Sequence, residues 1–411
     1  MIVRPFMALR PKKDFAQKVA VKPYDVISSQ DAKRITQFNP YAFYRVTKPE
    51  VNFDEPIEPS SDQALEAAKK NLQWFIDSQI FFQDRESFYI YKQVAQDHTQ
   101  IGLVATFSVD EYLSNQIKKH ELTRKDKEEE RAKHIYHLRA QTGPVFLMYR
   151  SCEQIDSYIE SLAQGQAEYD FVDEDGVRQI VYVIQDKMVI HKIKELFERV
   201  QSFYIADGHH RAASAVRVAQ MLRQENKSHT EDEEYNFFLA VLFPHKHLRI
   251  YDYNRVVKDL NGLSEEEFLS KLVKVFDVSE SKEGMYKPKK KHEFGMYLNR
   301  KWYRLELKQG LVDESDPIKA LDVSILQEHV LDGILSIKDP RTDKRIDFIG
   351  GVHGLQALQD YVDKKNWAVA FSLYPTSIED LMKVSDSGRI MPPKSTWFEP
   401  KLKSGLFVHL I

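Results

Sequence analysis

The stretch Tyr204-Ile205-Ala206-Asp207-Gly208-His209-His210-Arg211 decides how this chain is read. Apolar residues run into an acid and a glycine, and beyond them Ala212, Ala215, Val216, Ala219 and Leu222 recur at helical spacing. The pattern predicts a short strand over 202–205 that passes through a glycine turn directly into a long helix. Such a junction aims unpaired backbone N–H groups and a positive dipole end at one point, a setting that holds a phosphate. Gly208 lets the main chain approach a ligand with no Cβ in the way. His209, His210 and Arg211 add donors, and Arg211 can offer two parallel N–H bonds to phosphate oxygens. Asp207 has two readings. It can hold Mg²⁺, which takes one or two carboxylates plus phosphate oxygens, or it can simply cap the helix. For the cradle to work, the amides opening the segment after Ala206 have to be open to an anion.

Outward from this junction, Phe237 to Phe243 is a near-continuous apolar run, expected of a strand buried on both faces. Ser87 to Gln93 and Ile101 to Phe107 alternate polar and apolar residues and predict paired strands. Two hairpins are expected, over Tyr169 to Ile184 with its turn at Glu174-Asp175-Gly176, and over Glu293 to Leu307 across Asn299-Arg300-Lys301. Ser61 or Asp62 caps a helix, and Ser264 with Glu267 has capping-box spacing. Thr376 with Glu379 is expected to cap another helix. Lys118 to Arg139 is charged nearly all round and predicts a solvated helix. Alternation of helices and strands without strict βαβ regularity predicts an α+β fold with mixed sheets. The division expected is a phosphate-binding domain over 1–235, with a helical charged insertion, and a second α+β domain over 236–411.

A length of 411 residues agrees with two or three domains, and 42% hydrophobic residues supply an ordinary core. The 59 Lys+Arg against 62 Asp+Glu give a net charge of -3, too balanced for a protein that coats polyanions. One cysteine, Cys152, excludes an intramolecular disulfide framework and a Cys-cluster zinc site. Met-Ile-Val-Arg-Pro-Phe places an arginine and a proline where a signal peptide has its apolar stretch, so a cytoplasmic protein is expected. His134 with His137, and His245 with His247, have spacings used by metals but no third ligand nearby. The glycine-rich Ile349 to Gly354 lacks the Lys-Ser/Thr of a P-loop.

Tyr204 to Ala215 resembles the phosphate-binding motif of the ParB/sulfiredoxin-like superfamily, most closely the Asp-Gly-His-His-Arg form of its free-serine kinases. The whole chain also resembles a widespread bacterial protein family. That likeness is carried by Pro23 to Ile27, His120-Glu121 with Thr123-Arg124, Asp207 to Arg211, and Met391 to Thr396 continuing to Gly405. The DNA-binding ParB-like proteins carry a Glu-Arg-Arg type sequence where this chain has His209-His210-Arg211, which turns the expectation toward a small-substrate enzyme. The resemblance implies a ParB/sulfiredoxin-like N-terminal domain and kinase chemistry on a free amino acid.

A kinase acting on a hydroxyl needs a carboxylate within reach of it, and Asp25 and Glu121 are the candidates beside Asp207. His120, Arg124, Lys394, Ser395 and Thr396 are candidate substrate and phosphate contacts, and Gly208 to Arg211 are those for the nucleotide. The function expected is a nucleotide-dependent phosphotransferase on a small hydroxylated metabolite, with Mg²⁺ and ATP or ADP. Free L-serine is the substrate implied, with O-phosphoserine as product or, in reverse, as donor. The alternatives are a nucleotide-binding ParB-like regulator, for which no basic recognition face is visible, and a phosphatase using the same cradle.

Overall fold

The computed structural model describes residues 1–411. Its contacts divide the chain into two compact units, Met1–Leu248 with Pro400–Ile411, and Arg249–Glu399. The division falls after Leu248 rather than at 235/236, because Phe237–Pro244 is an interior strand of the first unit's sheet. Residues 400–411 return to that unit. His409–Leu410 pairs with Ala140–Gln141, and single bridges join Val408 to Leu9 and Ser404 to Val21.

The first unit is built on an eight-stranded sheet in the order Ile117–Lys118, Phe203–Asp207, Val145–Tyr149, Phe237–Pro244, His98–Ser108, Phe88–Ala95, Arg178–Ile184, Tyr169–Val172. Two neighbouring pairs are parallel and the others antiparallel, so the sheet is mixed and the fold α+β. Phe237–Pro244 lies between a parallel and an antiparallel neighbour, and this explains its unbroken apolar run. The alanine-rich stripe of His209–Glu225, Ala212, Ala215, Val216, Ala219 and Leu222, is buried in the core with Ile135 and Phe238. The helix over the charged run, Lys125–Leu138, departs from its expected solvation. Arg131, Ala132, His134, Ile135 and Leu138 are buried. His134 Nε2 meets Val46 O at 2.8 Å, and His137 faces Glu66 at 3.3 Å, so this pair does not combine.

The second unit carries a six-stranded antiparallel sheet in the order Phe276–Glu280, Lys301–Leu307, Glu293–Leu298, Val369–Leu373, Tyr253–Val257, Ile346–Gly350. The Glu293–Leu298/Lys301–Leu307 hairpin turns on Asn299 and Arg300, both at positive φ as the two-residue turn requires. The capping box at Ser264 and Glu267 forms as read, whereas the later one is Ser377 with Asp380, one residue past the expected Thr376 and Glu379. In the same unit a helix starts at Asp322–Leu326 and widens into a π-helix over Gln327–Asp332.

Candidate functional site

The pairing of Phe203–Asp207 with Val145–Tyr149 slips between Ile205 and Asp207, a bulge at Ala206. Bulges re-aim the residue that follows, and here that residue is Asp207. Gly208 then sits at φ 90° as the N-cap of His209–Glu225. A Cβ at that position would stand 2.9 Å from Arg211 Cζ, so the glycine is required both for its dihedral and for the arginine packed against it.

Asp207 is not the helix cap. Its Oδ1 accepts the Gly208 N–H at 2.9 Å, and its Oδ2 faces Arg211 and Lys401, each at 3.4 Å. Burial works to raise this acid. Lys401, Arg211, His209 and the Gly208 amide outweigh it and hold Asp207 below the usual carboxylate range. The first amide of the expected cradle is therefore engaged by Asp207 itself. The N–H groups of the helix's first turn still have no acceptor within the helix, by the geometry of any helix start. Magnesium at Asp207 does not fit this arrangement, because one oxygen is committed to an N–H and the other already faces two cations. Asp207 is a salt-bridged acid that positions Arg211 and Lys401.

Arg211 is buried. Its guanidinium donates to Pro144 O, lies 3.4 Å from Asp207 and 3.7 Å from Asp25, and keeps a buried Nε–H with no acceptor. Burial works against its charge, and Asp25 and Asp207 hold it in place. Asp25 itself lies in the short helical turn Tyr24–Val26 and is about a third exposed. Residues far apart in the chain, Asp25, Asp207, Arg211 and Lys401, thus meet at one helix start.

The segment 118–124 docks on the same helix start in a way the sequence did not suggest. His209 and His210 are acceptors rather than free donors. The His120 N–H donates to His209 Nε2 at 3.4 Å, and the Arg124 N–H to His210 Nε2 at 3.0 Å. Burial pushes His120 down to about 4 and His209 well below its ordinary value, so both imidazoles are neutral at pH 7. The donor atoms of His120, Glu121 and His209 lie within 4.8 Å of one another, a spacing a cation can bridge. With Nε2 of His209 accepting, however, its proton resides on Nδ1, 3.9 Å from Glu121 Oε2. That tautomer forms a histidine–carboxylate pair and leaves no ring lone pair for a metal. Arg124, expected at a phosphate, is exposed and forks onto Asp126 at 3.2 and 2.7 Å.

Two residues escaped the sequence reading. Lys401 follows the Lys394 segment closely in sequence, yet it belongs to the first unit and meets Asp207. Arg131 was assigned to a solvated face, yet it is 5% exposed, donating to Thr47 O at 3.3 Å and Thr142 Oγ1 at 2.6 Å beneath the Tyr24 ring. The signal available was the run Ala132, Ile135, Leu138, whose stripe also passes Arg131. Lys394, Ser395 and Thr396 lie in the second unit. Lys394 there has φ 56° and its Nζ lies 5.6 Å from the Tyr253 ring centre. Ser395 Oγ donates to Pro392 O at 2.6 Å. His245 accepts from Ser151 N–H, and His247 pairs with Glu160, so neither forms a metal site.

Among solved structures, the chain is similar to a free serine kinase in complex with AMP, at 16% identity and TM-score 0.37, over 74% of this chain and 91% of that one. It is similar to a conserved hypothetical protein from Pyrococcus furiosus, at 14% identity and TM-score 0.35, over 74% and 95%. SbnI with C-terminal truncation from Staphylococcus aureus is similar at 11% identity and TM-score 0.37, over 75% and 87%. No curated protein matches. No helix is long and apolar enough to cross a membrane. Residues 3–324 match the family described as protein of unknown function DUF1015, and the chain belongs to that family.

Proposed function

We propose that the first unit is a ParB/sulfiredoxin-like nucleotide- and phosphate-binding domain, and that the protein is a phosphotransferase acting on a small hydroxylated metabolite. One observation carries the reading: a carboxylate, Asp25, lies 3.7 Å from a buried guanidinium, Arg211, at the start of a helix. Phosphoryl transfer is mainly positioning and charge neutralisation, and this arrangement supplies both. The substrate hydroxyl oxygen forms the new bond to the terminal phosphorus of ATP or ADP. The bond from that phosphorus to its bridging oxygen breaks, and the shortened nucleotide leaves with the electron pair. The hydroxyl proton passes to Asp25, with Glu121, backed by His209, as the second candidate. Mg²⁺ is carried on the nucleotide's own phosphate oxygens rather than by Asp207.

Free L-serine is the substrate to try first, because the Asp207–Arg211 motif resembles that of free-serine kinases. The test incubates the protein with L-serine, Mg²⁺ and each nucleoside di- or triphosphate, and follows O-phosphoserine by mass spectrometry. Formation of phosphoserine that is lost in Asp25→Asn supports the reading. Phosphate release from phosphoserine without any nucleotide identifies a phosphatase, and nucleotide binding without turnover of any hydroxylated metabolite identifies a regulator.

A further inference from the structure

Arg131 and Arg211 come from different helices, are both buried, and line one small cavity together with Thr142, Gly143, Phe238 and Leu239. Their surroundings differ in kind. Arg211 has two carboxylates within 3.7 Å. Arg131 has none: its donors go to a carbonyl and a hydroxyl, and the Tyr24 ring lies 4.3 Å above it. Burial pushes the Arg131 guanidinium below its ordinary value and Arg211 adds repulsion, which Tyr24, Asp25 and Glu130 offset only in part. A buried cation with no carboxylate in contact is destabilising. Asp25 and Asp207 are in contact with Arg211 and Lys401, and neither carboxylate contacts Arg131.

The cavity of about 10 Å³ admits one water. An oxyanion therefore reaches the guanidinium pair from the side covered by Tyr24 and Asp25, a turn held by Lys48 Nζ on Tyr24 O at 3.4 Å. We propose that Arg131 is a binding residue, forming with Arg211 a two-guanidinium grip for one oxyanion of the ligand, and that the Tyr24–Asp25 turn is its cover. Two planar forks from separate helices suit a phosphate or carboxylate, which accepts paired N–H bonds. The inference rests on the site above binding an oxyanion, but not on phosphoryl transfer. Asp25 lies where it competes electrostatically with that oxyanion, so its removal tightens binding.

The test titrates the full-length, tag-free protein with sodium pyrophosphate, O-phospho-L-serine and L-serine in turn, by calorimetry, and records the melting temperature without ligand. In Arg131→Met, the melting temperature is expected to equal or exceed that of the parent, because a buried charge with no carboxylate in contact has been replaced by an apolar chain. At the same time the Kd of the gripped ligand is expected to rise roughly tenfold or more, the loss of charge-assisted hydrogen bonds. Arg131→Lys recovers part of that loss, and Asp25→Ala lowers the Kd several-fold. Whichever ligand loses affinity names the source: pyrophosphate points to the nucleotide, phosphoserine to a phosphorylated substrate, serine to a carboxylate.

A lower melting temperature with unchanged affinity makes Arg131 structural and overturns the proposal, as does a parent protein that binds none of the three. Should Arg131→Met not fold, Arg131→Lys decides: weaker binding sustains the grip and unchanged binding removes it. Arg131-dependent binding without any phosphoserine formation leaves the grip standing and removes the kinase. Phosphoserine formation with kcat and KM unaltered in Arg131→Lys does the reverse.

Discussion

Asp207 in the first unit and Asp322 in the second are the same side chain withdrawn from water to different degrees, 30% and 6% exposed, and they end on opposite sides of the carboxylate range. Asp207 faces Arg211 and Lys401 at 3.4 Å and is held low. Asp322, 6% exposed, accepts the His292 N–H at 2.9 Å with one oxygen and leaves the other buried without a donor. Burial pushes it up to about 7, with Asp380 and Glu314 adding to the effect. The His292 N–H and then Lys291 oppose this without overcoming burial, and Lys291 is at 2.6 Å also paired with Asp380. His292 Nε2, 4.0 Å away, is the remaining group of the cluster. Desolvation weighs on both acids and more heavily on Asp322, and the cations left uncommitted around each complete the difference in charge. The first unit has assembled cations around an acid that stays ionised, and the second has sealed an acid that takes up a proton.

The largest test of this contrast removes a cation from the first cluster. Arg211→Ala leaves Asp207 with Lys401 alone, and because Asp207 keeps 30% of its exposure the cost is about 3 kcal/mol, the lower end of the range for breaking a buried pair. Chemical denaturation monitored by segment-resolved hydrogen exchange should show that loss in residues 203–225. Unchanged protection there would mean that solvent, rather than Arg211, stabilises Asp207. Arg211→Lys keeps the charge and loses the fork, so it should retain the fold and weaken nucleotide binding.

The second test is Asp322→Asn. A folded value near 7 against an unfolded one near 3.8 means that the native unit binds the proton more tightly. The stability it contributes is fully present below about pH 4 and is lost as pH rises through 7. Hydrogen-exchange protection in residues 276–307 and 322–332, corrected for the intrinsic pH dependence of exchange, should fall between pH 6 and pH 8.5 in the parent, by about 1.4 kcal/mol. Asp322→Asn, permanently neutral, should remove that slope. A slope that survives the substitution means that Asp322 is not the group responsible.

These two clusters also show what was legible in the sequence. The strand–glycine–helix junction was readable because Gly208, an acid and an alanine stripe are local signals, and each acts within a few residues of itself. The hairpins at Gly176 and at Asn299-Arg300, and the doubly buried strand over Phe237–Pro244, were readable for the same reason. Lys401 at Asp207 was not, because its position depends on residues 400–411 pairing back onto the first unit. Arg131 was lost in a run of charges whose composition speaks of water, although its helix turns that one charge inward. The imidazoles of His209 and His210 were misjudged in role rather than in place. A sequence shows that donors are available, but main-chain N–H groups of residues 120 and 124 make them acceptors. Asp322 gave no signal at all, since its burial comes from non-local packing.

The third test sharpens the contrast without dismantling it. Lys401→Met removes one of the two cations at Asp207 Oδ2, a loss of about 1–2 kcal/mol for a charge-assisted contact that is partly solvated. The sign with pH is opposite to that of Asp322. A depressed acid contributes stability above its unfolded value, and that stability disappears as pH falls through the folded one. Removing Lys401 raises the folded value, so acid unfolding of the first unit should begin at a higher pH than in the parent.

The smallest effect comes from a position where an acid is held by hydrogen bonds rather than by cations alone. Asp380 closes the capping box with Ser377, whose hydroxyl accepts the Asp380 N–H at 3.1 Å and donates to Oδ2 at 2.6 Å. Ser377→Ala removes both bonds and leaves the Lys291 contact, so about 1 kcal/mol of helix stability should be lost. Burial works to raise Asp380, and Lys291 with Ser377 holds it low. Losing Ser377 returns part of that acid's negative charge to Lys291 alone. Lys291 is the one cation acting on Asp322, and tying it more closely to Asp380 should leave the Asp322 transition near pH 7 or move it slightly upward. A downward shift in the pH profile of Ser377→Ala would mean that Lys291 had been freed toward Asp322, and that cation sharing, more than burial, sets the difference between the two acids.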